Sequence, residues 1–495
     1  MATDTAMDMR KNAAPSVVLA LAIALGLPTS AYAAEVQFRP EIGAELVYTD
    51  NAGLSEESPE AGEIGILSAG IVSEVIGKDG EMSLDYQARQ TYHSYDSNKN
   101  QLYHELDFAA DKKLGKSGFS VDAIASIDIL PAEVSSNAIT DIISGDLIQG
   151  SELGLGLSYQ SNRRKWIDLS ARAGASLYRY EDDRGNNNDF DGSLLFKNGQ
   201  KVNTVFWLVD SSYIKREARG NSKETENVKY KGEFGLQQRS GFSPFIRYYA
   251  ESYLEGVSSS EKVGESESWG PAIRYFRSRL SYLELSYNFS LDKDKNDDYV
   301  GTALNLEPNR RTKLFFEYSK RFYGNAYEFT FNHKKRRVTT DISYIEEPTS
   351  FDRRFFVEGD SVEEQKLDKT FRWNTDLNLR RSGIDVELRH QTREGLRSDS
   401  DFIKDITYGG GIGLDHKLSR NLTIAFGFDY DHYTFDRLNG TDQIDKYSRY
   451  DLSLNQDLIE GFFLTYRYQY THRSSNTAGR NYDENRVSIN ATKQF

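Results

Sequence analysis

The chain has 495 residues, a formal net charge of -14, 38% hydrophobic and 27% charged residues, and no cysteine. This excludes a disulfide framework, a thiolate zinc site and a cysteine nucleophile, and it argues against general nucleic-acid binding, which needs a basic surface. Intrinsic disorder is also disfavoured, because disordered chains are poor in aromatics and this one has 31 Tyr and 27 Phe.

The N-terminus reads as an export signal. Arg10 and Lys11 are positive, Val17 to Leu27 is apolar, and Ala31-Tyr32-Ala33 is a small-x-small cleavage site. This is the order of a secretory signal peptide over 1–33. The apolar run is far short of the ~20 residues that span a bilayer as a helix. The mature chain is expected to start at Ala34, and 34–495 is expected to form a single barrel domain.

Beyond 40 one pattern recurs. Ile167, Leu169 and Ala171 alternate with Asp168, Ser170 and Arg172; Leu283, Leu285, Tyr287 and Phe289 alternate with Glu284, Ser286 and Asn288. A period of two means strand, with one apolar and one polar face. Such runs are predicted near 41–49, 64–76, 82–94, 102–112, 119–129, 152–161, 166–180, 189–197, 203–215, 227–238, 243–254 and 268–277. They continue near 280–292, 299–308, 312–323, 326–335, 338–346, 367–380, 384–393, 406–417, 420–434, 447–458, 462–473 and 485–495. Many hold ten or more residues, as a tilted strand crossing a bilayer requires.

The connections alternate as well. Short ones are basic or glycine-rich, such as Gly77-Lys78-Asp79-Gly80, Asn309-Arg310-Arg311-Thr312 and Lys334-Lys335-Arg336-Arg337. Long ones are mostly acidic, such as 51–63, 217–227, 255–268 and 346–366, while the segment around Gly324-Asn325 is short where a long one is due. The expected fold is all-β: a transmembrane antiparallel up-and-down barrel of about 24 strands (22–26), with both termini periplasmic. Residues 131–150, with Ile139, Ile142, Ile143, Leu147 and Ile148, form the one long connection apolar enough to fold inward. The final strand places Val487, Ile489 and Ala491 on one face and ends on Phe495, although Lys493 interrupts that face.

Several segments carry a resemblance. Phe38 to Asn51 reads as a first strand closing on Tyr48-Thr49-Asp50-Asn51. A Gly-Lys-Asp-Gly turn, a strand with Tyr86 and Tyr92, Asp96-Ser97-Asn98-Lys99-Asn100 and Leu102-Tyr103-His104-Glu105-Leu106 follow, and Tyr482-Asp483-Glu484-Asn485-Arg486-Val487-Ser488-Ile489 lies at the end. The mature chain resembles the putative beta-barrel porin 2 family, which includes outer-membrane proteins associated with exopolysaccharide and PEP-CTERM gene clusters. The resemblance implies an integral outer-membrane barrel of a Gram-negative bacterium, beside polysaccharide synthesis and export. It supplies no catalytic residues.

The strand phase turns Arg89, Arg172, Glu284, Glu317, Arg321, Arg372, Asp376, Arg380, Asp385, Glu387, Arg389, Asp429, Arg467 and Arg486 toward the lumen. Arg on the lipid face near the midplane would cost ~2–4 kcal/mol. These residues read as a solvated, ion-paired wall or as a path for a glycan, with Arg holding carboxylates and aromatics stacking on sugars. Tyr48, Tyr92, Tyr178, Tyr180, Tyr248, Tyr253, Tyr287, Tyr318, Phe322, Tyr430, Tyr433, Tyr468 and Tyr470 fit aromatic girdles. Asp292 to Asp298 is dense in acids but lacks the glycine and distal glutamate of a calcium loop. The seven His form no metal pair or triad order, so neither cofactor, metal nor enzymatic chemistry is expected.

The reading is an outer-membrane pore supporting exopolysaccharide export by passive passage. The alternatives are a general diffusion porin, or a structural or adhesive surface barrel with acidic loops. The expected partners are outer-membrane lipid and lipopolysaccharide, the barrel-assembly machinery reading Phe495, a periplasmic polysaccharide-export protein and its glycan, with no nucleic acid.

Overall fold

The computed structural model describes residues 35–495 except 220–222, 238–239, 258–260, 279, 292–296, 351–352, 357–363, 398–403 and 437–440. The predicted signal peptide and residues 292–296 of the acidic loop lie outside the described residues. Twenty-four strands follow one another: β1 (Glu35–Thr49), β2 (Gly62–Ile76), β3 (Gly80–His93), β4 (Leu102–Lys113), β5 (Phe119–Pro131), β6 (Leu147–Gln160), β7 (Ile167–Tyr180) and β8 (Asn187–Asn198). Next come β9 (Val205–Ala218), β10 (Lys223–Leu236), β11 (Gly241–Val257), β12 (Glu261–Phe276), β13 (Tyr282–Ser290), β14 (Tyr299–Asn309), β15 (Thr312–Arg321) and β16 (Gly324–Lys335). The last are β17 (Val338–Thr349), β18 (Lys366–Asn378), β19 (Ser382–Gly395), β20 (Lys404–Lys417), β21 (Leu422–Phe435), β22 (Gln443–Ile459), β23 (Phe462–Ser475) and β24 (Tyr482–Gln494). No α-helix occurs among the described residues.

Each strand pairs antiparallel with the next, and β1 pairs with β24 from Glu41↔Gln494 to Thr49↔Arg486. The sheet is therefore a closed 24-stranded barrel. An even strand count puts both chain ends and every even-to-odd turn, such as 77–79 and 310–311, at one end of the barrel.

The strands match the predicted ones but run further toward the long connections. β11 reaches Val257 and β12 begins at Glu261, so the predicted connection 255–268 shrinks to 258–260. Connection 217–227 shrinks to 219–222, and 131–150 to 132–146. Beyond the lipid a strand needs no apolar face, so its period-two signal fades while the backbone pairing continues. The short connection Phe322-Tyr323 is closed by Gly324 at φ 111°, a left-handed conformation suited to glycine.

Register fixes the phase of every strand. In β19, Ile384, Val386 and Leu388 face outward beside Leu414, Ile412 and Gly410 of β20, which turns Asp385, Glu387 and Arg389 inward. The outer face is apolar, with Leu46, Leu285, Ile412 and Leu452 exposed there. Outward tyrosines at the long-connection end donate to polar residues of the adjacent strand, as Tyr468 does to Asn485 Oδ1 (2.7 Å) and Tyr470 to Asp483 Oδ1 (2.6 Å) of β24. Trp166, Phe119 and Phe242 stand exposed near the opposite end. Four expected girdle residues, Tyr178, Tyr180, Tyr253 and Tyr433, face the lumen instead, because they fall in phase with Arg172, Glu251 and Asp431. Phe495 is exposed on the outer face, and its amide donates to Pro40 O (2.9 Å). The Lys493 stem follows that face while its ammonium donates to Glu460 O (2.8 Å) at the rim.

Candidate functional site: the lumen wall and its inward loop

The inner wall is held by ion pairs that link adjacent strands and reach across to strands further along the same arc. Arg274 of β12 lies 2.6 Å from Glu284 of β13 and 3.1 Å from Glu233 of β10, and Arg247 of β11 lies 3.3 Å from the same Glu284. Both carboxylates are buried, and the Arg274 guanidinium sits over the Phe245 and Tyr282 rings. A charge removed from water costs free energy unless paired and hydrogen-bonded, and this cluster meets both conditions. Arg321 of β15 pairs with Glu251 of β11 at 3.0 Å beside Tyr249.

Elsewhere the wall uses glycine to make room. Arg389 reaches Asp431 at 2.6 Å and Arg449 reaches Asp429 at 3.0 Å. Those aspartates lie over Gly409 and Gly411 of β20, and a Cβ at Gly411 would stand 2.6 Å from Asp429 Oδ1. Arg172 binds Asp122 of β5 with both terminal nitrogens and approaches Asp191 of β8 at 3.5 Å.

Arg89, Arg172, Glu284, Glu317, Arg321, Arg372, Asp376, Asp385, Glu387, Arg389, Asp429, Arg467 and Arg486 all lie on lumen-facing strand positions. Arg380 departs from the expectation: it lies exposed in the turn 379–381, because β18 ends at Asn378. Arg89 meets Glu105 at 2.8 Å, and Arg467 pairs with Asp451. Arg372, Asp376 and Asp385 make no ion pair among the described residues. The sequence reading did not single out Arg247, Arg274, Glu233 or Glu251. Their signal is the phase of β10 to β12, blurred because outward positions there also carry polar residues such as Glu265 and Glu267.

The β5–β6 connection, 132–146, lies inside the ring. Ile143 packs on the inward side chains Val47, Ile64 and Ile66, and its carbonyl meets His93 Nε2 at 3.1 Å. On the other side, Gln443 Nε2 donates to Ser135 O (2.7 Å), Arg473 Nη1 donates to Ser136 O (2.5 Å), and the Ala138 amide donates to the Tyr447 hydroxyl (3.3 Å). Arg486 joins Asp141 (2.6 Å), Glu484 (2.7 Å) and Ser144 Oγ (3.1 Å). Burial opposes charge on Asp141. The Arg486 charge and hydrogen bonds from Arg486, the Ile143 amide and Ser144 outweigh it, so the carboxyl stays below its ordinary range. The loop also touches the β17–β18 connection: Val134 N donates to Phe356 O (2.9 Å), and Arg353 donates to Ala132 O (2.7 Å).

Beside the β17–β18 connection, whose Ser350 and Arg353 line it, lies a chamber of about 790 Å³ lined also by Tyr178, Tyr180, Asp189, Arg216, Lys229 and Tyr253. Arg216 pairs with Asp189 at 2.6 Å, and the Tyr178 hydroxyl donates to Glu152 (2.8 Å). The surface offers ring faces, paired charges and amides, which suit a hydrated polar ligand. Among the described residues, no three metal-ligating side chains converge.

Residues 404–495, which span β20 to β24, match the family model described as putative beta-barrel porin 2. No curated protein matches the chain. Among solved structures, the chain is similar to the FrpB iron transporter from Neisseria meningitidis (F3-3 variant), with 9% identity, 92% of this chain and 81% of that one covered, and a TM-score of 0.49. It is also similar to OccK2 (OpdF) of Pseudomonas aeruginosa, with 9% identity, 93% and 98% coverage and a TM-score of 0.36. A BenF-like porin from Pseudomonas fluorescens Pf-5 gives 8% identity, 93% and 99% coverage and a TM-score of 0.37. The closed barrel, its apolar outer belt and the family match make this an outer-membrane β-barrel of porin-like fold.

Proposed function

We propose that the barrel is an outer-membrane pore through which an exopolysaccharide leaves the cell, by passive passage through the polar lumen. The observation that carries this reading is the chamber itself. Its tyrosine rings, paired charges and amides lie on the lumen face beside the β17–β18 connection, where a flexible polar chain could slide without a single deep binding site. Signal-peptide cleavage after Ala33 and recognition of Phe495 by the assembly machinery would bring the barrel to the membrane. The short-turn end would face the periplasm and a polysaccharide-export partner there. Loop 132–146 would narrow the path when no chain occupies it.

The test combines two measurements. Deletion of the gene should abolish matrix polysaccharide in the medium, and purified barrel in planar bilayers should conduct in brief openings. Intact secretion with reduced uptake of small solutes would replace export with general diffusion. Intact secretion and uptake with lost surface attachment would replace it with an adhesive role for the acidic loops.

A further inference from the structure

Charge is partitioned along the barrel axis. The eleven connections at the end that holds both termini contain sixteen Lys or Arg against two acids, and the twelve at the other end contain ten against twenty-four. The basic end is not uniform. Around the seam, turn 77–79 has one Lys and one Asp, and turn 460–461 has only Glu460. The turn after β6 holds three cations, Arg163, Arg164 and Lys165, and the arc of turns after β14, β16, β18 and β20 holds seven: Arg310, Arg311, Arg336, Arg337, Arg380, Arg381 and Arg420.

In this arc three turns lie side by side: the Lys334 amide donates to Arg311 O (2.8 Å) and the Asn378 amide to Arg337 O (2.7 Å). Between them is a groove of about 410 Å³ lined by Arg311, Lys334, Lys335, Arg336, Arg337, Thr339 and Asn378. No carboxylate lines it, and none of the five cations makes an ion pair with a described residue. That contrasts with the wall above, where most arginines are held by acids. Cations left unpaired in a shared concavity raise the local concentration of an anion and can hold carboxylate or phosphate oxygens in forked contacts.

We propose that this groove is a docking site for an acidic polymer, a chain bearing repeated carboxylate or phosphate groups, at the mouth of the lumen. The proposal rests on the export reading and names its substrate class: an anionic glycan gathered at the entry. Two observations favour a polymer over lipid headgroups. Lys334, Thr339 and Asn378 are lumen-phase positions, so the groove opens toward the mouth rather than toward the lipid. The cations also span several neighbouring turns, with hairpins spaced roughly 10 Å apart, which suits successive charges on one chain. Asp341 and Asp376 face the lumen above the groove and would discourage tight arrest further in.

The test uses full-length barrel purified in an uncharged detergent, with polygalacturonate as the probe, neutral dextran as the control and nanodiscs of phosphatidylglycerol or phosphatidylcholine as a separate arm. Polygalacturonate should bind, weaken steeply with salt as screening shortens, and lose about tenfold or more in affinity when Arg311, Lys334, Arg336 and Arg337 are all changed to Ser. Dextran should not bind. A matched variant with Lys116, Arg163, Arg164 and Lys165 changed to Ser, elsewhere on the same rim, should bind as the wild type does. Equal affinity for wild type and the groove variant overturns the site, as does an equal loss in the matched rim variant. Retention of phosphatidylglycerol that depends on the four groove residues, without polygalacturonate binding, overturns the polymer in favour of lipid. Binding is read at equilibrium on purified protein, so a barrel that exports nothing in cells but binds the probe sinks the transport reading and leaves the site standing. Heat-modified migration on gels verifies that each variant is folded.

Discussion

Arg486→Ala is the sharpest probe of the inward loop. The side chain is 8% exposed and touches three groups at once: Asp141, Glu484 and Ser144. Its loss leaves two carboxylates facing each other, with Thr49 and Ser144 as their remaining hydrogen-bond donors of the side-chain kind. Removing one partner of a buried ion pair costs about 3–5 kcal/mol. At about 1.4 kcal/mol per factor of ten, the seated state of the loop should lose roughly two to three orders of magnitude against the released state. Because the chain lacks cysteine, Ser135→Cys supplies a unique label at a position with 0% exposure. A maleimide should modify it slowly in the parent and at least tenfold faster with Arg486→Ala, and mean single-channel conductance should rise. Arg486→Lys, which keeps the charge but loses the forked contact, should fall between them. Equal labelling rates with unchanged conductance would refute the idea that this ion cluster seats the loop.

Other sites give equally direct outcomes. Glu284→Ala takes from Arg247 its 3.3 Å partner and leaves Arg274 with Glu233 alone in a buried cluster, and should lower stability in urea by about 3–5 kcal/mol, without altering barrel assembly. Gly411→Val drives a side chain into the space of Asp429, so a cost of ~1–3 kcal/mol and weakened pairing with Arg449 are expected from unfolding curves. Ile412→Arg places a cation on the lipid face of mid-β20 and should cost ~2–4 kcal/mol, whereas Gln391→Arg on the lumen face of β19 should be nearly neutral. If the two arginines cost the same, the inside–outside phase is wrong.

Much of the fold was readable because lipid enforces a strict alternation that water does not. In β13, apolar Leu283, Leu285, Tyr287 and Phe289 face out and Glu284, Ser286 and Asn288 face in, so the sequence determines both the element and its phase. Legibility fails where lipid stops. The tips of β11 and β12 continue as paired strand with polar residues on both faces, and period two carries no signal there. The lumen partners were hidden for another reason. Period two says that Arg389 points inward but not that it reaches across β20 to Asp431, which requires the register and the glycine opposite. The basic groove was visible only as separate turns, because nothing in a linear chain states that Arg311 and Lys334 share a backbone hydrogen bond.

The inward loop also bears on closure of the ring, and this yields a prediction separable from gating. The seam between β1 and β24 pairs over Glu41–Thr49 only, whereas β1 and β2 pair over the full strand from Glu35 to Thr49. Loop 132–146 laces the two sides of that seam. Ile143 packs on β1 and β2 and its carbonyl meets His93 of β3, while Ser135, Ser136 and Ala138 bond to β22 and β23. Four such polar bonds at about 0.5–1.5 kcal/mol each, with burial of Ile143 at about 1.5–3 kcal/mol, give about 4–9 kcal/mol to lose. Replacing 135–143 by a Gly-Ser linker should therefore speed amide exchange in β1 and β24 while leaving β9 and β10, on the far wall, unchanged. The Arg486→Ala variant keeps Ile143 and the β22–β23 bonds available, so it should open the lumen with a smaller effect on the seam. Unchanged exchange at β1 and β24 in the shortened variant, alongside higher conductance, would mean that the loop gates the lumen without bracing the barrel. A loop bonded on both sides of the seam can brace it only while it lies inside the ring.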